Sequence, residues 1–148
     1  LGPVTPIYFY RRDQPYFEFT NFSPHPVTYC GYVYPTAEHL FQAQKFLPTR
    51  PDLAEEIRSL PHPRAALQAA AQLSDARRPD WFDVNVGIMD AVLEAKFTQH
   101  PELCELLLST GRRPLIEASQ VDAFWGAGKW GDGRNELGKA LMRLRDKL

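Results

Sequence analysis

Apolar residues recur in short runs along this chain, and prolines separate the runs. Ile7-Tyr8-Phe9-Tyr10-Arg11 is aromatic and β-favouring and predicts a strand over 7–11. Residues 14–26 carry Pro15, Pro24 and Pro26 and predict an ordered loop. Val27 to Tyr34 holds two β-prone runs around Cys30-Gly31, the pattern of a hairpin. Thr36 is a good N-cap for a helix over 37–47, which Pro48 and Pro51 end. Pro51 opens a short helix to about Leu60. Pro61 and Pro63 separate it from an alanine-rich helix at about 64–73. Residues 80–99 form the longest helical pattern, with Val84, Ile88, Ala91, Val92 and Ala95 at helical spacing and predicted to face the core. Pro101 opens a helix to Thr110, with Gly111 at its C-terminal cap. Leu115-Ile116-Glu117 predicts a short strand. Residues 118–134 have no period, and Asn135 is placed to cap a last helix over Glu136 to Lys147.

The fold class is therefore α+β and mainly α-helical, with five or six helices and a small N-terminal β-hairpin unit. A length of 148 residues suits a single domain spanning 1–148, with residues 1–6 peripheral and Leu1-Gly2-Pro3 read as an appended scar. No apolar stretch is long enough for a membrane-spanning helix. The start shows no basic segment followed by an apolar one, so no signal peptide and a cytoplasmic or nuclear location are expected. Lys+Arg is 17 and Asp+Glu 18, for a net charge of −1, so nucleic acid enters as a substrate only through a local site. Cys30 and Cys104 are the only cysteines and are expected as reduced, partly buried thiols.

Four segments concentrate polar residues among aromatics. In Thr20-Asn21-Phe22-Ser23, Asn21 is either the start of a turn before Pro24 or an amide that reads a ligand, with Phe22 as a stacking wall. On the helix after Thr36, Glu38, Gln42 and Lys45 fall on one polar stripe beside Phe41. Such a stripe is either a solvated face or a pocket in which carboxylate and ammonium tune each other. His39 adjoins Glu38, but no metal set surrounds it. In Arg77-Arg78-Pro79-Asp80-Trp81, Asp80 suits a helix cap, Trp81 a packing role, and the arginines phosphate binding or solvation. The stretch from Glu117 to Asn135 offers Glu117 and Asp122 as carboxylates and Trp125 as a stacking surface. Its glycines, Gly126 and Gly133 among them, either admit a phosphate at the last helix or shape a rigid loop.

In this order and spacing the segments resemble the NADAR superfamily, the NAD- and ADP-ribose-associated family, from about Phe9 to Leu148. The pieces are Asn21-Phe22-Ser23, Thr36-Ala37-Glu38-His39 with Gln42-Ala43-Gln44-Lys45-Phe46, Asp80-Trp81, Ala95-Lys96-Phe97, Leu115-Ile116-Glu117, Asp122 with Trp125-Gly126, and Gly133-Arg134-Asn135-Glu136-Leu137-Gly138. The resemblance implies a NADAR fold and metal-independent, cofactor-free cleavage of an N-glycosidic bond to ribose. The first implied substrate is ADP-ribose on the amino group of guanine in DNA or RNA. An alternative is a ribosylamino-pyrimidine intermediate of riboflavin biosynthesis.

On that resemblance Lys45 is the expected central catalytic group, with Glu38 and Asp122 as proton shuttles. Asn21, Phe22, Gln42, Trp81, Glu117, Trp125, Gly126, Gly133, Arg134 and Asn135 are the expected contacts to substrate or ADP-ribose. Two other classes make different demands. A binding module for ADP-ribose or NAD would not need Lys45 and the carboxylates together. An interaction protein would turn the 38–45 stripe to solvent and bury Trp125 fully.

Overall fold

The computed structural model describes residues 4–148. The proposed scar at 1–3 lies outside the described residues, and Val4, Thr5 and Pro6 are exposed. The described residues form four short strands and six α-helices in the order β1 (Ile7–Phe9), β2 (Val27–Tyr29), β3 (Tyr32–Tyr34), α1 (Ala37–Gln44), α2 (Pro51–Arg58), α3 (Pro63–Gln72), α4 (Trp81–Gln99), α5 (Pro101–Ser109), β4 (Leu115–Glu117) and α6 (Glu136–Lys147). They divide into two compact units, one of residues 4–23 with 100–148 and one of residues 24–99.

In the first unit β1 pairs in parallel with β4, Ile7 opposite Leu115 and Phe9 opposite Glu117. Alternation along β1 buries Ile7 and Phe9 and leaves Tyr8 outside. The Phe9 ring meets Phe19 edge-on at 5.7 Å. α6 packs on β4 so closely that a Cβ on Gly138 would collide with the Leu115 carbonyl and the Asn135 amide. Gly111, at φ +60°, ends α5 as expected. Arg145 then donates from Nη1 to Thr110 Oγ1 at 2.9 Å and to the Arg113 carbonyl at 2.8 Å, tying α6 to the segment after α5.

In the second unit β2 and β3 form the predicted antiparallel hairpin, with Cys30 and Gly31 both at positive φ in the turn. α1 is the hub and packs on α2, α3 and α4. Leu40, Ala43 and Phe46 are fully buried, each large side chain contributing about 1.5–3 kcal/mol. Gln99 clamps β2 with two hydrogen bonds to the Thr28 backbone, at 2.8 and 2.7 Å.

Two expectations are corrected here. Val84, Ile88 and Ala91 are only half-buried and line a groove of about 350 Å³ with Tyr29 and Gly87. Ala95 is half-buried too, and of the five expected residues only Val92 lies on the buried face, which otherwise carries Trp81, Asn85, Met89, Leu93, Lys96 and Phe97. That face reads as less apolar than the groove face because Asn85 and Lys96 interrupt it. The second correction concerns Cys30, which is exposed because it sits at the hairpin turn; Cys104 is partly buried, and both are free thiols.

Candidate active site

α1 starts where Thr36 Oγ1 accepts the His39 N–H at 3.2 Å. The same hydroxyl lies 2.8 Å from His39 Nδ1, and His39 Nε2 lies 2.8 Å from the Leu60 carbonyl. A carbonyl only accepts, so Nε2 carries the hydrogen and Nδ1 takes the hydroxyl proton. Burial lowers the pKa of this ring and so favours its neutral form. His39 therefore anchors the helix, and neither ring nitrogen is open to a metal.

The next turns carry the polar stripe, and it is not a solvated face. Glu38 and Gln42 are 7% and 3% exposed, and Gln42 donates from Nε2 to Glu38 Oε2 at 2.8 Å. Gln42 Oε1 is buried with no hydrogen-bond partner among the described residues. An orphaned acceptor of this kind costs about 1–3 kcal/mol unless a ligand donor meets it. One turn on, the Lys45 Nζ stands 5.6 Å from the centre of the Trp81 ring, which itself packs on Phe41 at 5.1 Å. Burial lowers the Lys45 pKa; the Glu38 carboxylate opposes that and the Arg77 charge adds to it. Trp81 is held at the start of α4, where Arg78 donates its backbone N–H to the Lys45 carbonyl at 2.7 Å.

The other residues of this region are occupied. Asp80 gives its carboxylate to Arg78, at 2.6 and 2.9 Å, rather than to the helix N-terminus. Arg77 lies over the exposed Phe82 ring at 4.7 Å.

In the first unit the aperiodic loop is built from backbone hydrogen bonds. Ala127 donates to the Glu117 carbonyl at 2.8 Å, Gly128 to Ser119 at 2.9 Å and Gly133 to Ala127 at 2.6 Å. Asp122 Oδ1 accepts the N–H groups of Phe124 and Trp125 at 2.9 and 2.7 Å, so one of its oxygens is committed to the turn. Trp125 is half-buried and meets Phe124 edge-on at 4.8 Å. Asn21 is buried and Phe22 half-buried in the turn after Phe17–Phe19.

A family model described as NADAR domain matches residues 8–148. The chain belongs to the NADAR family. It is 42% identical over 144 residues to N-glycosidase YbiA of Escherichia coli (strain K12), covering 97% of this chain and 89% of that protein. It is 40% identical over 143 residues to a riboflavin biosynthesis protein of Vibrio vulnificus (strain YJ016), covering 97% of this chain but 38% of that protein. The NMR structure of E. coli YbiA superimposes with a TM-score of 0.89 at 41% identity, over 99% of this chain and 86% of that one. The α+β class is that of this solved relative, and this NADAR chain is an enzyme, a hydrolase of N-glycosyl bonds.

The NADAR fold brings Glu38, Gln42, Lys45 and Trp81 together on α1 and the start of α4. Three of the other expected residues also have a structural reason. Both ends of the Asn135 amide are used on β4: Nδ2 donates to the Leu115 carbonyl at 2.8 Å and Oδ1 accepts the Glu117 N–H at 2.9 Å. Asn135 also makes no side-chain cap to α6. Gly126 and Gly133 are glycines because a Cβ would meet loop backbone, at 2.9 Å from the Asp122 carbonyl and 2.5 Å from the Gly126 carbonyl respectively. A phosphate at the start of α6 finds the Glu136 and Leu137 amides already bonded to the Phe124 and Trp125 carbonyls, each at 3.0 Å. Arg134 is exposed, lies over Phe124 at 4.9 Å and pairs with Glu136 at 2.9 Å. Sequence reasoning missed the action of Arg77 on Lys45 and left the burial of Glu38 and Gln42 open between a solvated face and a pocket. Phe41 beside the stripe was the signal that pointed to the pocket, and Trp81, which packs on Phe41, adds to it.

Proposed function

We propose that this N-glycosidase cleaves the bond between C1′ of a ribose and the exocyclic amino group of a base, with Lys45 as the catalytic group. The observation that carries the reading is the desolvated lysine beside a buried carboxylate–amide pair and an indole wall. Lowering its pKa makes the neutral amine, which is the nucleophilic form, more accessible. Gln42 Oε1 is the acceptor for the N–H of the glycosylated amine.

In the covalent form the amine lone pair opens the sugar, O4′ takes a proton and an imine forms at C1′. The Lys45 amine adds to C1′, and the base leaves as its free amine with a proton relayed by Glu38. Water then adds to the lysine imine, the C1′–lysine bond breaks, and the sugar closes. Asp122, Asn21, Phe22, Glu117 and Trp125 belong to the other compact unit, and their part in the reaction is proposed on the family resemblance alone.

The first substrate on this reading is ADP-ribose attached to guanine in DNA or RNA. A ribosylamino-pyrimidine of riboflavin biosynthesis is the second, favoured by the likeness to the Vibrio riboflavin biosynthesis protein. The test incubates the enzyme and a Lys45→Ala variant with a guanine-ADP-ribosylated oligonucleotide and, separately, with the ribosylamino-pyrimidine. ADP-ribose release by the unaltered enzyme alone supports the first substrate, and cleavage of the pyrimidine only moves the reading to the second. Cleavage of neither, or full activity of Lys45→Arg, overturns the proposal. Borohydride reduction leaving a sugar adduct on Lys45 distinguishes the covalent form from direct water attack.

A further inference from the structure

The first unit carries a second concave surface, a cleft of about 730 Å³ with Tyr8, Tyr10, Arg11, Tyr16 and Arg113 on its walls and Val121 at its edge. Its volume lies within the roughly 300–1,000 Å³ of ordinary ligand sites. Tyr8 and Tyr10 are 62% and 44% exposed, because the alternation that buries Ile7 and Phe9 turns them outward. Tyr16 sits at φ +69°, a backbone conformation costly for a non-glycine residue, and packs its ring on Phe19 at 5.3 Å. The lining includes two arginines and no Asp or Glu, although the whole chain is balanced at −1. Arg113 is braced by a hydrogen bond from Nε to the Thr5 carbonyl at 2.9 Å, which holds it at the wall.

Outward tyrosines two positions apart, on and just past the end of a strand, with arginines beside them and no acid in the lining, match what an extended nucleic-acid strand requires. Flat faces take its bases and guanidinium groups take its phosphates. We infer that this cleft binds the single-stranded nucleic acid that carries the modified base, stacking nucleobases on Tyr8 and Tyr10 and pairing phosphates with Arg11 and Arg113. The inference rests on the guanine reading above and adds the polymer-binding surface that the overall charge does not provide.

Fluorescence anisotropy with a labelled 15-residue oligothymidylate tests it on the full chain. Binding is expected at low salt and weakens as salt rises. Tyr8→Ala and Tyr10→Ala are each expected to weaken it by about 5- to 100-fold, and Arg11→Gln to flatten the salt dependence. All three side chains are exposed, so circular dichroism and the urea midpoint should match those of the unaltered protein. No binding, or binding that these variants leave unchanged, overturns the inference. So does equal displacement of the oligonucleotide by free ADP-ribose or by a polyglutamate peptide, which would assign the cleft to a single nucleotide or to acidic protein. A separate assay compares KM for ADP-ribosylated oligonucleotide with KM for ADP-ribosylated guanosine. A ratio that the tyrosine variants leave unchanged sinks the polymer surface while the guanine reading stands. Failure to cleave either substrate sinks the guanine reading, and the anisotropy result still decides the surface.

Discussion

The Lys45 ammonium nitrogen stands 5.6 Å from the centre of the Trp81 ring. An indole face attracts the charged form, while burial disfavours it, and the lowered pKa says that burial prevails. Such a lysine carries an electrostatic cost that catalysis would explain. Replacing it with Ala or Arg is expected to lower kcat/KM by about 10²–10⁴-fold, the usual worth of a proton-transfer group. Arg fails because a guanidinium does not give up its proton. Lys45→Met is expected to match the unaltered protein in urea midpoint, or exceed it, while being equally inactive. Paired kinetic and denaturation measurements check this, and an unstable but active Met variant would contradict it.

Burial, and after it two neighbouring charges, set the pH at which Lys45 loses its proton. The neutral amine grows tenfold per pH unit below its pKa, so the rate should rise with pH and level off below the ordinary lysine value of about 10.4. Glu38 raises that pKa and Arg77 lowers it. Glu38→Gln should therefore move the rising limb to lower pH, whatever it does to the maximum rate, and Arg77→Gln should move it to higher pH. Limbs that shift in the same direction in both variants would show that another group is being titrated.

His39 makes stability depend on pH. Its folded pKa lies below the usual value near 6.5. The unfolded chain therefore takes up the proton first as the solution is acidified. The stabilisation is complete above the unfolded pKa and is lost as pH falls from there toward the folded pKa, at up to about 1.4 kcal/mol per pH unit. Urea midpoints between about pH 7 and pH 5 should fall more steeply for the unaltered protein than for His39→Gln. Parallel slopes would remove His39 from the account.

The loop glycines separate steric need from conformational strain. A Cβ on Gly133 would lie 2.5 Å from the Gly126 carbonyl, a backbone atom that cannot turn away. Gly131 has φ +76° but open space around it. Gly131→Ala is expected to cost about 1–2 kcal/mol, the left-handed penalty alone. Gly133→Ala should cost at least about 3 kcal/mol, since loop backbone must move. Thermal or urea unfolding of the two variants gives the comparison, and equal costs would refute the packing argument.

Local chemistry in the sequence was legible where it acts locally. Thr36 caps α1, Cys30-Gly31 turns the hairpin, Gly111 ends α5, and prolines open α2, α3 and α5. The face of α4 was not legible, because aliphatic spacing favours Val84–Ile88–Ala91 and the buried face spends two positions on Asn85 and Lys96. The stripe Glu38–Gln42–Lys45 could be read as a line on a helix, but its burial depends on neighbours far away in the chain. The pairing of β1 with β4 leaves no local trace, and neither does the use of the Asn135 amide on β4. A capping residue and a strand clasp look identical in one dimension.

The register of Ile7 opposite Leu115 also orders events in time. The two strands lie roughly a hundred residues apart in the chain, so closing that loop carries an entropic cost that local pairings avoid. During synthesis at about 5–20 residues per second, β1 waits on the order of 5–20 s for its partner. The whole of residues 24–99 leaves the ribosome in that interval. Ile7 lacks its sheet partner meanwhile, which makes β1 a segment in need of protection while the chain is growing.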